Sequence, residues 1–192
     1  MLEKEMFFNK KKIILIYLLI LLPEISNANI KENIIYNLQN TQNLNFDFEQ
    51  NVNGKIETGN CTIEYPKKIF CRYNLEDKKV LISDGKSLVI NSKFKSYYKY
   101  PIDRTPLNYI LDKEFLVKKI RDLDQRIVND EFINFTIFKN DNEINIFFDK
   151  IKFDLIGWQT IDIYQNLNIT YISSIQKNRI LKKNLFKLPE KD

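Results

Sequence analysis

The chain has 192 residues, 30 basic against 25 acidic side chains, 14 Phe, 10 Tyr, four Gly, two Cys and no His. Without imidazole there is no Ser-His-Asp or Cys-His nucleophile and no ordinary His-bearing zinc site, and four glycines build no phosphate-cradling loop. The basic residues are scattered among acids rather than gathered into an aromatic-laced stripe, so the formal charge of +5 reads as a solvated surface and not as a nucleic-acid footprint; no enzyme, cofactor or metal is expected.

At the start, Lys4, Lys10, Lys11 and Lys12 precede an apolar run from Ile13 to Leu22, then Pro23 and Ser26-Asn27-Ala28. These are the n-region, h-region and cleavage site of a secretory signal. The run is about half the ~20 residues a spanning helix needs, which makes an uncleaved anchor the weaker alternative. Cleavage after Ala28 is expected to leave residues 29–192 as one periplasmic domain of net charge +4, the leader having carried four Lys and three Glu. No Cys follows the h-region, so the chain is not itself expected to be a lipoprotein.

Ile30, Ile34, Leu38 and Thr41 recur at helical spacing and predict an amphipathic helix that opens the domain. The period then becomes two: Phe46 and Phe48 alternate with Asp47 and Glu49, and Asn53-Gly54 offers a hairpin turn. Cys61, Ile63 and Tyr65 share one strand face, Pro66-Lys67-Lys68 turns the chain, and Ile69, Cys71 and Tyr73 return on the same face. Val80–Ser83 and Leu88–Ile90 are apolar strands around Asp84-Gly85, so Ser83-Asp84-Gly85 is turn chemistry and not a catalytic fragment.

Between Asp103 and Asp122, Thr105 is placed to cap a helix with Pro106 in its first turn, and Leu107, Ile110, Leu111, Phe115, Leu116 and Ile120 give two short apolar helix faces. Asp122 and Asp124 read as solvated surface rather than an acid–base pair. Alternation resumes with Ile133, Phe135 and Ile137, then Ile144, Ile146 and Phe148. Further strands are expected over 153–162 and 169–175, with a short last one at Leu185-Phe186.

About ten antiparallel strands and three helices result, in a mainly β chain whose sheet has one apolar face to cover. Two solutions satisfy that pattern: helices that fill the core, or a curled sheet with helices as a lid over a cavity. Apolar alternation alone reads as core. The face is rich in Phe and Ile and poor in polar groups to orient a small ligand, so a cavity here is expected to be greasy and unselective.

A three-residue turn from Tyr65 to Lys67 sets Cys61 opposite Cys71. A cross-strand disulfide is expected there, with two buried thiols acting as small hydrophobes as the alternative.

In order along the chain stand Phe48-Glu49-Gln50, Gly59, Pro66, Tyr73, Ile82-Ser83-Asp84-Gly85, Thr105-Pro106, Leu111, Trp158, Asp162 and Phe186 before Pro189. That series resembles the LolA family of periplasmic outer-membrane lipoprotein carriers. The resemblance implies an incomplete antiparallel barrel of ten or eleven strands closed by a lid of about three helices, at residues 30–43, 105–111 and 114–121. It further implies a monomeric chaperone that receives the acyl chains of lipoproteins from an inner-membrane ABC-type transporter and delivers them to an outer-membrane acceptor.

On that reading Phe46, Phe48, Ile63, Tyr65, Ile69, Ile133, Phe135, Ile146 and Phe148 line the acyl-chain cavity, and Ile34, Leu38, Leu107, Ile110 and Leu111 face it from the lid. The family carries a lid-latching arginine just before the proline of the second strand; Tyr65 stands there in this chain, and a phenol is not a cationic fork. The competing class is a lipid-binding, sensory or structural periplasmic domain of the same fold that acts through a protein partner.

Overall fold

Eleven antiparallel strands form one open sheet in the computed structural model, which describes residues 25–74, 79–92, 97–139, 142–161 and 165–190. Helix α1 (Ile25–Gln39) leads into β1 (Asn43–Val52), β2 (Lys55–Glu64), β3 (Lys68–Tyr73), β4 (Val80–Asp84), β5 (Ser87–Asn91) and β6 (Tyr97–Pro101). A single 3-10 turn (Ile102–Arg104), α2 (Leu107–Ile110) and α3 (Lys113–Asp122) follow, and then β7 (Arg126–Val128), β8 (Phe132–Lys139), β9 (Asn142–Asp149), β10 (Leu155–Ile161) and β11 (Leu167–Lys177).

The strand order is β6-β5-β4-β3-β2-β1-β11-β10-β9-β8-β7. The chain thus starts at the centre, meanders out to one edge, crosses to the far edge through the helical segment, and meanders back until β11 pairs with β1. Ten inter-strand spacings of ~4.8 Å would hold the edges of a flat sheet ~48 Å apart. The sheet curls instead: Leu81 of β4 and Leu88 of β5 border one cavity with Trp158 of β10, a strand five and six places away in the sheet order. The crossing segment lies over the concave face as a lid.

Turn chemistry fixes the hairpins. Asn53 and Gly54 both have positive φ (50° and 88°), as a two-residue hairpin turn that matches strand twist requires. At the β4–β5 turn Gly85 has φ 97°, while the Asp84 carboxylate accepts the N–H groups of Lys86 and Ser87, each at 2.8 Å. Burial raises the Asp84 pKa, but those backbone donors and the Lys99 charge outweigh it and hold the carboxyl below its ordinary value.

The core is concentrated toward β8 and β9. Ile133, Phe135, Ile137, Ile144, Ile146 and Phe148 are all essentially inaccessible and join one cluster with Ile34, Ile35 and Leu38 of α1 and Leu116, Val117 and Ile120 of α3. Phe135 and Phe148 meet edge to face at 6.0 Å, a favoured arrangement of aromatic quadrupoles.

The architecture agrees with the pattern read from the sequence, and three local expectations are corrected. The Thr105 hydroxyl does not cap α2: it donates back to the Ile102 carbonyl at 2.8 Å, closing the 3-10 turn, and Asp112 is the residue that caps a helix, accepting the Phe115 N–H at 3.0 Å. Leu185-Phe186 is a turn, because Leu185 and Lys187 bond locally to Lys182 and Asn184 instead of to a strand. The short edge strands β6 and β7 are additional to the segments named from the sequence. The expected leader up to residue 24, and Asp162, lie outside the described residues.

Candidate functional site

Every second residue of β1 points inward: Leu44, Phe46 and Phe48 are buried, and Gln50 and Val52 continue the row toward the β1–β2 turn. Opposite them β2 presents Glu57, Gly59, Cys61 and Ile63. Gly59 is obligatory where the Phe48 ring lies across it, since a Cβ there would sit 2.1 Å from the Arg72 carbonyl and 2.7 Å from the ring. Phe48 is in turn held edge to face against Tyr73 at 5.0 Å.

Beside this row the concave face is not filled. A cavity of about 320 Å³ is walled by Phe48, Val52, Ile69, Leu81, Leu88 and Ile90 from β1 and β3–β5. Trp158, Thr160 and Thr170 of β10 and β11 close its other flank, and Pro106 and Leu107 cover it from the lid. Cys61 and Cys71 are register partners joined by a disulfide, which forms part of the wall.

Of the positions expected to line a cavity, Phe48 and Ile69 do so, and Leu107 does so from the lid. Phe46, Ile63, Ile133, Phe135, Ile146 and Phe148 do not border it and are buried in the hydrophobic cluster, as are Ile34, Leu38, Ile110 and Leu111, where α1 and α3 seat their apolar faces. Leu81, Leu88, Ile90 and Val52 are among the wall residues absent from the sequence-based set. The apolar strands that hold the first three were legible, but β4 and β5 are apolar on both faces, so alternation did not single out the inward one.

The wall is also less uniformly greasy than expected. Toward the β1–β2 turn it carries Gln50, Glu57, Tyr73, Lys79 and Asn168. Tyr73 donates to Gln50 Oε1 at 3.2 Å, and Gln50 Nε2 donates to Asn168 Oδ1 at 2.7 Å. Burial raises the Glu57 pKa, yet the hydrogen bonds and charges of Lys79 and Lys55 outweigh it and keep the carboxyl below its ordinary value of 4.5. Burial, with the Glu57 charge, pushes the Tyr73 phenol up. Extending the period of two back from Ile63 and Cys61 reaches Glu57, a signal the strand pattern already contained.

The lid is fastened next to Tyr65 rather than by it. The Lys67 N–H donates to the Leu111 carbonyl at 2.8 Å, and the Lys67 ammonium is 3.5 Å from the Asp112 carboxylate. Ser83 Oγ donates to the Lys67 carbonyl at 2.8 Å, pinning that turn to β4. Lys113 donates to the carbonyls of Gln39 and Thr41 at 3.2 and 3.0 Å, tying α3 to the end of α1. Tyr65 contributes its ring, with Lys113 Nζ 5.9 Å from the centroid; its hydroxyl is buried without a hydrogen-bond partner, and burial pushes that phenol up.

A curled antiparallel sheet, with a helical crossing that covers an apolar recess, makes the protein a lidded half-barrel. Residues 39–189 match the family model of the outer membrane lipoprotein carrier protein LolA, and the chain belongs to that family.

Among solved structures, MucB shares the fold at a TM-score of 0.51 and 9% identity, over 88% of this chain and 64% of MucB. LprF from Mycobacterium bovis is similar at 0.47 and 10% identity, over 84% of this chain and 98% of LprF. A putative outer membrane lipoprotein-sorting protein domain from Vibrio parahaemolyticus is similar at 0.47 and 7%, over 84% and 96%. No curated protein sequence matches the chain. Among the described residues no helix is long and apolar enough to cross a membrane.

Proposed function

We propose that the protein is a periplasmic carrier that takes the acyl chains of lipoproteins into the cavity between the concave sheet face and the lid. In this reading it is secreted by cleavage after Ala28, loaded by an inner-membrane ABC-type transporter and unloaded at an outer-membrane acceptor. The observation that carries the reading is the apolar recess under Leu107.

Magnitudes shape the mechanism. At about 320 Å³ the recess is at the small end of ligand pockets, which run ~300–1,000 Å³, so it takes part of a lipoprotein's hydrocarbon and not all of it. At ~0.8 kcal/mol per buried CH₂, a ~16-carbon chain is worth roughly 12 kcal/mol when fully buried. Several fully sequestered chains would never be released. Partial burial, with the lid moving off the sheet to admit cargo, supports a carrier that loads with outside energy and unloads downhill. The few fastenings at Lys67, Asp112 and Lys113 are consistent with such movement.

The test is native mass spectrometry of the protein purified without detergent, followed by extraction of any ligand. Co-purifying acyl lipid or lipoprotein is the expected result. Bare protein that also fails to take up a fluorescent acyl probe would overturn the carrier reading and favour a domain that works through a protein partner.

A further inference from the structure

Two buried apolar residues of the cavity wall lie outside the core. Val89 is inaccessible and Ile82 is only 6% exposed, yet neither belongs to the cluster that packs under the helices. They are register partners, and Phe70 of β3 continues their row. Leu81, Leu88 and Ile90 of the same strands line the cavity, and successive side chains of a strand point to opposite faces. Phe70, Ile82 and Val89 therefore point out of the half-barrel, and a cover on its outer side must keep water from them.

That cover is the end of the chain. The Asn43 side chain exchanges two hydrogen bonds with the Arg179 backbone, at 2.9 and 3.1 Å, which fixes the start of the tail at β1. Lys68 Nζ of β3 stands 5.8 Å from the centroid of the Phe186 ring, and the Tyr97 hydroxyl of β6 donates to the Pro189 carbonyl at 3.3 Å. Lys68 is in phase with Phe70, and Tyr97 with Lys99, the partner of Val89. The tail thus crosses the outer face of β4 and β5 on its way from β3 to β6, with Leu181, Leu185, Phe186, Leu188 and Pro189 half-buried.

Its attachment is thin. Among the described residues the Tyr97 bond is the only hydrogen bond that joins 180–190 to the rest of the protein; the backbone bonds of that stretch are local, from Leu185 to Lys182 and from Lys187 to Asn184. Apolar contact, which is non-directional, supplies the rest of the hold. Between tail and cavity stands one layer of strand, in which Leu81 and Leu88 face the recess and their neighbours Ile82 and Val89 face the tail. Any outward movement of β4 and β5 that enlarges the recess must move the tail as well.

We propose that residues 180–190 are a displaceable brace on the back of the cavity wall, and that tail release and acyl-chain entry favour each other. Linkage makes that coupling reciprocal. The inference rests on the acyl-carrier reading and adds a second moving part to the lid.

Hydrogen exchange of the unliganded protein tests the brace. Leu185→Asp/Phe186→Asp should speed exchange in 80–91 and 97–101 by about ten-fold or more, the size of losing one buried apolar side chain, while β8 and β9 keep their protection. Ile180→Asp is the control: Ile180 is fully exposed, and its replacement should change nothing. Unchanged exchange at 80–91 in the double variant, or an equal rise in β8 and β9, would overturn the proposal.

A second measurement needs no substitution. Lys182, Lys183 and Lys187 are exposed on the tail, and trypsin should cut there faster when the unmodified protein is saturated with a fluorescent acyl probe. Equal or slower cutting with the probe bound would overturn the coupling while leaving the carrier reading intact. Failure to bind the probe at all would overturn the carrier reading and the coupling with it, and the exchange result without ligand would still decide the brace.

Discussion

The two halves of the sheet use the same alternating pattern to opposite ends. On β8 and β9 the inward residues Ile133, Phe135, Ile137, Ile144, Ile146 and Phe148 are sealed in the core cluster with the helices. From β1 to β5 the inward row of Phe48, Ile69, Leu81, Leu88 and Ile90 borders a void beneath the short helix α2. Apolar alternation therefore defines which face is covered, and the length and seating of the covering helix decide whether that face becomes core or cavity.

If that contrast is right, mutations should separate stability from binding. The largest effect is expected in the filled half. Phe135→Ala should cost about 3–5 kcal/mol, because the helices pressed on it cannot collapse into the gap, and urea denaturation would measure it. An equally small loss at Phe135 and at half-buried Leu107 would erase the distinction between the halves.

Next in size is the cross-strand disulfide. Cys61 and Cys71 are separated by 10 residues, and in the chain-entropy account a loop of that length is worth roughly 2–3 kcal/mol. Cys61→Ala/Cys71→Ala should lower the free energy of unfolding by that amount, read from urea denaturation. Because the pair borders the void, the double variant sharpens the comparison further: acyl binding should change along with stability, whereas Phe135→Ala should affect stability alone wherever the protein remains folded.

The lid fastening ranks third. Asp112→Ala removes the cap of α3 and the Lys67 partner, a loss of about 1 kcal/mol for the cap. Faster uptake and release of an acyl probe in stopped-flow fluorescence should accompany it.

The pH response follows from Glu57. Its folded pKa is depressed below the ordinary 4.5, so its contribution to stability is complete above that value and is lost as pH falls through the folded pKa. Glu57→Gln should therefore flatten the decline in stability below about pH 4.5, as thermal melts across the acid range would read.

The smallest effect belongs to Tyr65→Phe. Its buried hydroxyl lacks a partner, and an unpaired buried polar group carries a desolvation cost, so removing it should leave stability unchanged or raise it. A loss would mean that the phenol holds the lid after all.

Much of this was legible in the residues, and the exceptions have physical reasons. The hairpins at Asn53-Gly54 and Asp84-Gly85 announce themselves because turn geometry demands particular residues. The Cys61–Cys71 register follows from the turn at Pro66. Phe135 and Ile146 read correctly as inward, but whether an inward residue meets a helix or a void depends on a tertiary placement that no local period encodes. Leu81 and Leu88 were hidden for another reason: Val80–Ile82 and Leu88–Ile90 are continuous apolar runs, and a run without alternation does not say which side is in. Glu57 was missed because an acidic residue on a strand ordinarily faces water, and only its phase with Cys61 and Ile63 says otherwise.

The central claim is that acyl chain enters the recess under α2 and nowhere else. A fatty acid bearing a photoreactive diazirine at its chain terminus, irradiated with the protein and mapped by peptide mass spectrometry, tests it most directly. The account predicts saturable labelling within residues 80–91 and 105–111, competed by unlabelled fatty acid. Labelling concentrated on the outward aromatic row of Phe132, Phe147 and Tyr171, whose rings stand against one another in turn at 5.2 and 6.1 Å, would contradict it.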